Sequence, residues 1–184
     1  MEIILIRHGK TSANNENRYN GRTDDPLSAE GLAEVLAIRK YPEIPLAYVS
    51  PLLRARQTAD VVFPNAEKVV VQDLREMDFG DFEGRTAEEM EHDPDYRAWV
   101  ASECVTACPN GESIPSFAKR AAGAFALAVM DAIRRGEKRV GVAVHGGVIM
   151  AIMSAFAHAE RSYFDWYVLN GGGYVLTIAE ASWA

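Results

Sequence analysis

Two histidines in this chain each follow an apolar run directly. Residues 3–6 (IILI) lead into Arg7, His8 and Gly9, and residues 139–144 (RVGVAV) lead into His145, Gly146 and Gly147. Two further runs end near charge: LAYVS opens onto PLLRARQT with Arg54 and Arg56, and VVVQDL onto Arg75 and Glu76. Two imidazoles, arginines and a carboxylate suit phosphoryl transfer through a histidine. A guanidinium grips two phosphate oxygens at once and stays charged, so Arg7 and Arg54 suit a phosphate clamp. Nearby cations lower an imidazole's pKa, which favours a neutral, nucleophilic His8. His145 is suited to hydrogen-bond phosphate oxygens as charge builds on them. Gly146 and Gly147 let backbone approach closely, and the helix start behind them offers free N–H groups to an anion. Glu76 is suited to protonate a departing oxygen, because a bound phosphate raises a neighbouring carboxyl's pKa.

The same residues have plainer readings. A strand-end histidine is often only a surface residue, and Arg54 and Arg56 suit an exposed helix face. The acidic run 88–91 reads as solvated helix surface, and His92 and His158 as structural or exposed. His, His and Glu also form a zinc ligand set. Two arginines in one pocket disfavour a divalent cation, so no metal is expected.

These side chains meet only if the elements beneath them bring them together. Short β-rich runs alternate with longer helical ones, which favours an α/β layered fold. Strands are predicted over 2–6, 46–49, 68–71, 139–144 and 174–178. Helices are predicted over 28–40 (Ser28 as N-cap), 52–62, 86–91, 94–101, 113–135 (stopped by Gly136) and 147–157. Residues 14–27 and 104–112 read as loops, of a length more often functional than idle. In parallel α/β sheets the carboxyl ends of strands share one edge, and ligands bind in the crevice there. A mostly parallel sheet would therefore gather both histidines, an arginine pair and the carboxylate into one pocket.

Composition narrows the ligand. At 184 residues a single domain over 1–184 is expected. A formal charge of −7 argues against nucleic acid or an anionic membrane as partner, since both need basic surface. An anion site must then be a local pocket, and the expected partner is a small molecule. The apolar runs 121–130 and 148–157 are about half the ~20 residues of a membrane span. No cationic lead and long apolar stretch opens the chain, so a secretory signal is not expected. Cys104 and Cys108 lack a second Cys/His pair and read as ordinary thiols in a reducing, cytoplasmic setting. The sequence assigns no oligomeric state.

The chain resembles the histidine phosphatase superfamily, in its phosphoglycerate-mutase-like branch. The resemblance rests on LIRHGKTSANNENRYNGRTDDPLSAEG, VSPLLRARQTA, LREMDFGDFEG, NGES and VAVHGGVI, in the family's order. LREMDFGDFEG and HGGVI are closest in wording to α-ribazole phosphatases and related small-substrate phosphatases. The resemblance implies a three-layer α/β/α sandwich with a mostly parallel sheet, and a phosphomonoesterase needing no metal or organic cofactor. It implies His8 as the nucleophile that becomes phosphohistidine, with Arg7, Arg54 and His145 completing the phosphate pocket and Glu76 as proton donor. Asn14 falls where the family has a phosphate-contacting Asn, Asn20 and Gly21 in a pocket-lining loop, and Gly146 at a backbone contact.

Some positions depart from the family pattern. Lys10 is expected to add positive charge beside the nucleophile, Val144 replaces a small or hydroxyl residue, and the glycines after Asn170 are loose. Phosphoglycerate mutases use the same residues for phosphotransfer. They carry longer insertions before the second histidine and a longer tail, so hydrolysis is favoured here. A non-catalytic module would require a lost core residue, and none is lost. Selectivity is expected from residues 83–112, where Tyr96 and Trp99 either roof the pocket or pack.

Overall fold

Side chains alternate between the two faces of a five-stranded sheet in a computed structural model that describes residues 1–179. Residues 180–184 of the expected 1–184 domain lie outside the described residues. The strands are β1 (Glu2–Arg7), β2 (Leu46–Val49), β3 (Glu67–Val70), β4 (Arg139–Val144) and β5 (Gly173–Thr177). Their order is β3-β2-β4-β1-β5. β1, β2, β3 and β4 pair in parallel, and β5 runs antiparallel to β1 at the edge.

Ile3, Leu5, Leu46, Tyr48, Val140 and Val142 point to one core, and Ile4, Ile6, Ala47, Val49 and Ala143 to another. Apolar residues on both faces are what a sheet covered on both sides requires. The helices are α1 (Ser12–Asn15), α2 (Ala29–Ala37), α3 (Leu53–Val62), α4 (Pro94–Ala101), α5 (Ile114–Arg134) and α6 (Gly146–Phe156). α5 and α6 fill the first core with Phe117, Phe125, Val148 and Ile152, while Val35, Ala55, Ala59 and Val62 of α2 and α3 fill the second. The result is the expected three-layer α/β/α sandwich. Phe117, Phe125 and Phe63 are fully buried, each stabilising the fold by roughly 1.5–3 kcal/mol.

Several expected boundaries move. Residues 86–91 form no helix: Thr86 bridges to Arg18 and turns follow over 87–91. Thr86 and Glu89 cap one another, but the bonds that follow, Met90 to Ala87 and Glu91 to Glu88, span only three residues. Asp93 then opens α4 as its N-cap, leaving no room for a longer helix. Helix α2 stops at Ala37 because Ile38 is extended. The loop expected over 14–27 begins in a helical turn, which Thr11 and Asn14 close as a reciprocal cap. β3 and β5 each start one residue early, and α6 starts at Gly146.

Cys104 and Cys108 are free thiols, and burial pushes the Cys108 thiol up to about 12. Among the described residues, no helix is long and apolar enough to cross a membrane.

Candidate active site

The site forms where the parallel strands end. Arg7 stands opposite Val144 in the ladder, and the His8 amide continues it by donating to the Val144 carbonyl at 2.9 Å. His8 and His145 therefore leave neighbouring strands at the same level, with ring centroids 5.1 Å apart and planes at 62°. That spacing is about the breadth of one phosphate.

His8 is 4% exposed, and its Nδ1 lies 2.6 Å from the Gly9 carbonyl. A carbonyl can only accept, so Nδ1 carries the proton and Nε2 keeps a free lone pair. Burial holds the His8 pKa well below the ordinary imidazole value. Arg54 adds to this, the Gly9 carbonyl opposes it, and Arg7 lowers it further. The sequence reading credited cations alone, whereas desolvation is the larger cause. His145 is fully buried and held low by the same desolvation, then by Arg54 and His8. Its Nε2 lies 2.6 Å from Ser50 Oγ, and its Nδ1 is buried with no hydrogen-bond partner among the described residues.

Arg54 is fully buried, on the first turn of α3. Its Nη1 donates to the Thr23 carbonyl at 2.6 Å, and its Nη2 to the carbonyls of Gly21 at 2.9 Å and Asn20 at 3.3 Å. Arg7 donates from Nη1 to the Val168 carbonyl at 2.6 Å, with its guanidinium 5.2 Å from the centre of the Tyr167 ring. The Nε atoms of both arginines are buried and unpartnered among the described residues. A β-carbon on Gly146 would lie 3.3 Å from the Arg7 guanidinium carbon, so Arg7 borders the start of α6. The converging pair is thus Arg7 with Arg54. Arg56 is exposed, and Arg75 turns to Asp73 and the Gln72 carbonyl.

Glu76 completes the ring of groups. Its carboxylate accepts from the amides of Met77 and Gly147, each at 2.9 Å. Any β-carbon at Gly147 would collide with Glu76 Oε1, so this approach requires glycine. Burial pushes the Glu76 carboxyl up, against the opposing pull of those two amides, Arg54 and Arg7. Unpaired donors, two low-pKa imidazoles and a high-pKa carboxyl together suit a dianion that must be both held and protonated.

The remaining expected residues take supporting places. Asn14 Oδ1 accepts from the Thr11 amide at 3.1 Å and from Asn170 Nδ2 at 3.3 Å, and Asn170 also donates to the His8 carbonyl at 3.1 Å. Asn20 donates to Thr11 Oγ1 and Asp25, while its Oδ1 is buried and unpartnered among the described residues. Gly21 presses against the Met77 carbonyl, where a side chain would not fit.

Lys10 does not add charge to the pocket. It pairs instead with Glu30 at 2.9 Å and Glu34 at 2.8 Å on α2, the acids that its own charge attracts. Trp99 is buried and Tyr96 half-buried in a ring cluster with Tyr19 and Phe82, and the Tyr96 hydroxyl meets that of Tyr19 at 3.0 Å. They pack against one another and these rings rather than standing free. His92 and His158 are exposed.

Three supports went unseen in the sequence: Ser50 on His145, Glu83 on the loop 20–23, and Tyr163, whose hydroxyl donates to the Gly147 carbonyl at 3.1 Å. Among the described residues, no group of three or more His, Cys, Asp or Glu side chains is placed to hold a metal ion.

The chain is similar to known proteins. The model of the histidine phosphatase superfamily, branch 1, matches residues 3–184. The chain is 34% identical over 159 residues to the bifunctional protein Rv2228c of Mycobacterium tuberculosis, covering 82% of this chain but only 40% of that protein. It therefore spans well under half the length of the first relatives it matches. The metal-independent phosphoserine phosphatase of Arabidopsis thaliana is 32% identical over 192 residues, covering 99% of this chain and 78% of that one. Among solved structures, the alpha-ribazole phosphatase of Shigella flexneri superposes with a TM-score of 0.82 at 27% identity, covering 98% of this chain and 92% of its own. Phosphoglycerate mutases are among the further matches.

Proposed function

This chain belongs to the histidine phosphatase superfamily, and on that footing we propose that it hydrolyses small phosphomonoesters through a phosphohistidine on His8, without a metal. The observation that carries the reading is the pair of imidazoles 5.1 Å apart, with the buried guanidinium of Arg54 depressing the pKa of both.

His8 Nε2 attacks phosphorus in line with the departing oxygen. A P–N bond forms as the P–O ester bond breaks, and Glu76 gives its proton to the leaving alkoxide. Arg7 and Arg54 hold the phosphoryl oxygens through donors that the protein leaves unused. We assign the Ser50 hydroxyl, 2.6 Å from His145 Nε2, as the donor of that bond; the neutral ring then carries its proton on Nδ1 and offers it to the same oxygens. Asn14, Asn20, Gly21 and the Gly146 backbone line the pocket. Water then attacks the phosphohistidine and gives a proton to Glu76. The P–N bond breaks, inorganic phosphate leaves and both groups return to their starting states.

Only 68 residues separate Glu76 from His145, without the longer insertion that mutases carry there. A mutase must keep its phosphoenzyme from water, so hydrolysis is favoured over transfer to a second sugar acid. The substrate class is a small metabolite monoester, in line with the α-ribazole phosphate and phosphoserine that relatives are named for. We place this activity in the cytoplasm, carried by this one domain, with neither nucleic acid nor membrane as partner.

A panel of phosphomonoesters in EDTA, including 3-phosphoglycerate, tests this. Hydrolysis is expected to survive the chelator and to vanish in His8→Ala. Faster isomerisation of 3-phosphoglycerate than hydrolysis of any ester, or activity lost in EDTA and restored by zinc, would overturn the reading.

A further inference from the structure

The loop 20–23 is gripped from two sides. On one side its carbonyls at Asn20, Gly21 and Thr23 accept from the Arg54 guanidinium. On the other, a single oxygen, Glu83 Oε1, accepts from the Gly21 amide at 2.8 Å, the Thr23 amide at 2.9 Å and the Thr23 hydroxyl at 2.9 Å. The second oxygen, Oε2, is buried with no partner among the described residues and would lie 3.0 Å from a β-carbon on Gly21. The loop has no strand ladder or helix of its own. Its amides at Gly21 and Thr23 are held by this carboxylate, which follows the Gly80–Phe82 turn.

We propose that Glu83 is the positioning residue for Arg54: by holding the amides of loop 20–23 it aims three carbonyls at the guanidinium and fixes where Arg54 meets the phosphate. The inference rests on the reading of Arg54 as a phosphate clamp. An arginine side chain is long and rotatable, and its fork discriminates geometry only when held. Here two of its nitrogens are tied to a loop and the third is left free, so the orientation of the free edge follows the loop. Burial lowers the Arg54 pKa, and Glu83 adds to the opposing negative charge of Glu76 and Asp25. Glu83 touches no reacting atom. It acts through the backbone.

A double-mutant cycle of Glu83→Ala and Arg54→Ala, read as kcat/KM on p-nitrophenyl phosphate and as affinity for orthovanadate, tests the proposal. A misplaced clamp of this kind is expected to lower kcat/KM by about 30-fold and vanadate affinity by about tenfold in Glu83→Ala. In the Arg54→Ala background the same change is expected to cost no more than about twofold, because the two residues act through one path. Glu83→Gln keeps the accepting oxygen and is expected to recover to within about threefold of the native rate. Should Glu83→Ala not purify folded, Glu83→Asp, which draws the carboxylate back by one methylene, takes its place in the cycle.

The same loss with and without Arg54, or a Glu83→Gln variant as impaired as Glu83→Ala, would overturn the proposal. Additive losses alongside an intact phosphoenzyme on His8 would remove the role of Glu83 and leave the proposed function standing. A native protein without that phosphoenzyme would remove both.

Discussion

His8 and His145 are carried by neighbouring parallel strands, and the backbone ladder that joins Arg7 to Val144 sets their separation. Glu76 is carried by a stretch without strand or α-helix and is held by individual side chains. Arg120 donates to the carbonyls of Asp73, Arg75 and Glu76 and to both oxygens of Glu112, and Glu112 in turn accepts from the Asp78 amide. The histidine side of the site is thus built by repeating backbone geometry, the Glu76 side, proposed as the acid side, by a chain of unlike contacts. A ladder absorbs a side-chain change without shifting, whereas a network loses its geometry when one member is removed. The two sides are therefore expected to fail differently.

After the complete loss expected in His8→Ala, the largest effect is expected where both sides meet. Arg54→Ala removes the proposed donors to the phosphoryl oxygens and is expected to lower kcat by about 10³-fold, as for loss of a preorganised oxyanion donor. Steady-state rates on a single ester check this, and a loss below tenfold would move the phosphate away from α3. On the acid side, Glu76→Gln is expected to cost about 10²-fold on alkyl phosphates but far less on p-nitrophenyl phosphate, whose leaving group needs no proton. Equal losses on both esters would remove Glu76 as the proton donor.

The pH dependence sharpens the contrast further. Both rings are held neutral well below their ordinary value of 6.5, chiefly by burial. The acid limb of kcat/KM should therefore lie below pH 6.5. In the unfolded chain these rings regain the ordinary pKa and bind protons that the folded state refuses. Their contribution to stability is thus fully present above pH 6.5 and is lost as pH falls from there towards the lowered folded values. Melting temperatures across this range should fall on acidification less steeply in His8→Ala than in the native chain. A steeper fall would mean that His8 is protonated in the folded state.

The smallest effect is expected at Lys10. Its pairs with Glu30 and Glu34 are exposed and screened, so Lys10→Ala should leave kcat/KM within about twofold.

The contrast also explains what the sequence disclosed. His8, His145 and the sheet were legible because apolar runs end on them and parallel strand ends share one edge. Arg54 and Glu76 were legible from spacing after their own strands. Ser50 was not, because its hydrogen bond to His145 joins residues 95 positions apart and has no periodic signature. Glu83 and Arg120 were hidden for the same reason, each being a charged residue in irregular chain that binds distant backbone. Lys10 misled because adjacency in sequence to His8 suggested adjacency in the pocket. β1 has ended by then, and the side chain follows the acids of α2 instead. Tyr96 and Trp99 were open to either reading until their packing against Tyr19 and Phe82 was seen.

The central claim is covalent, so a covalent readout tests it most directly. Rapid quenching with a ³²P-labelled monoester, followed by peptide mapping, should trap label that is stable to base, lost in acid and confined to the peptide holding His8. Label on another residue, or turnover with no trapped label at any quench time and an undiminished rate in His8→Ala, would contradict the account.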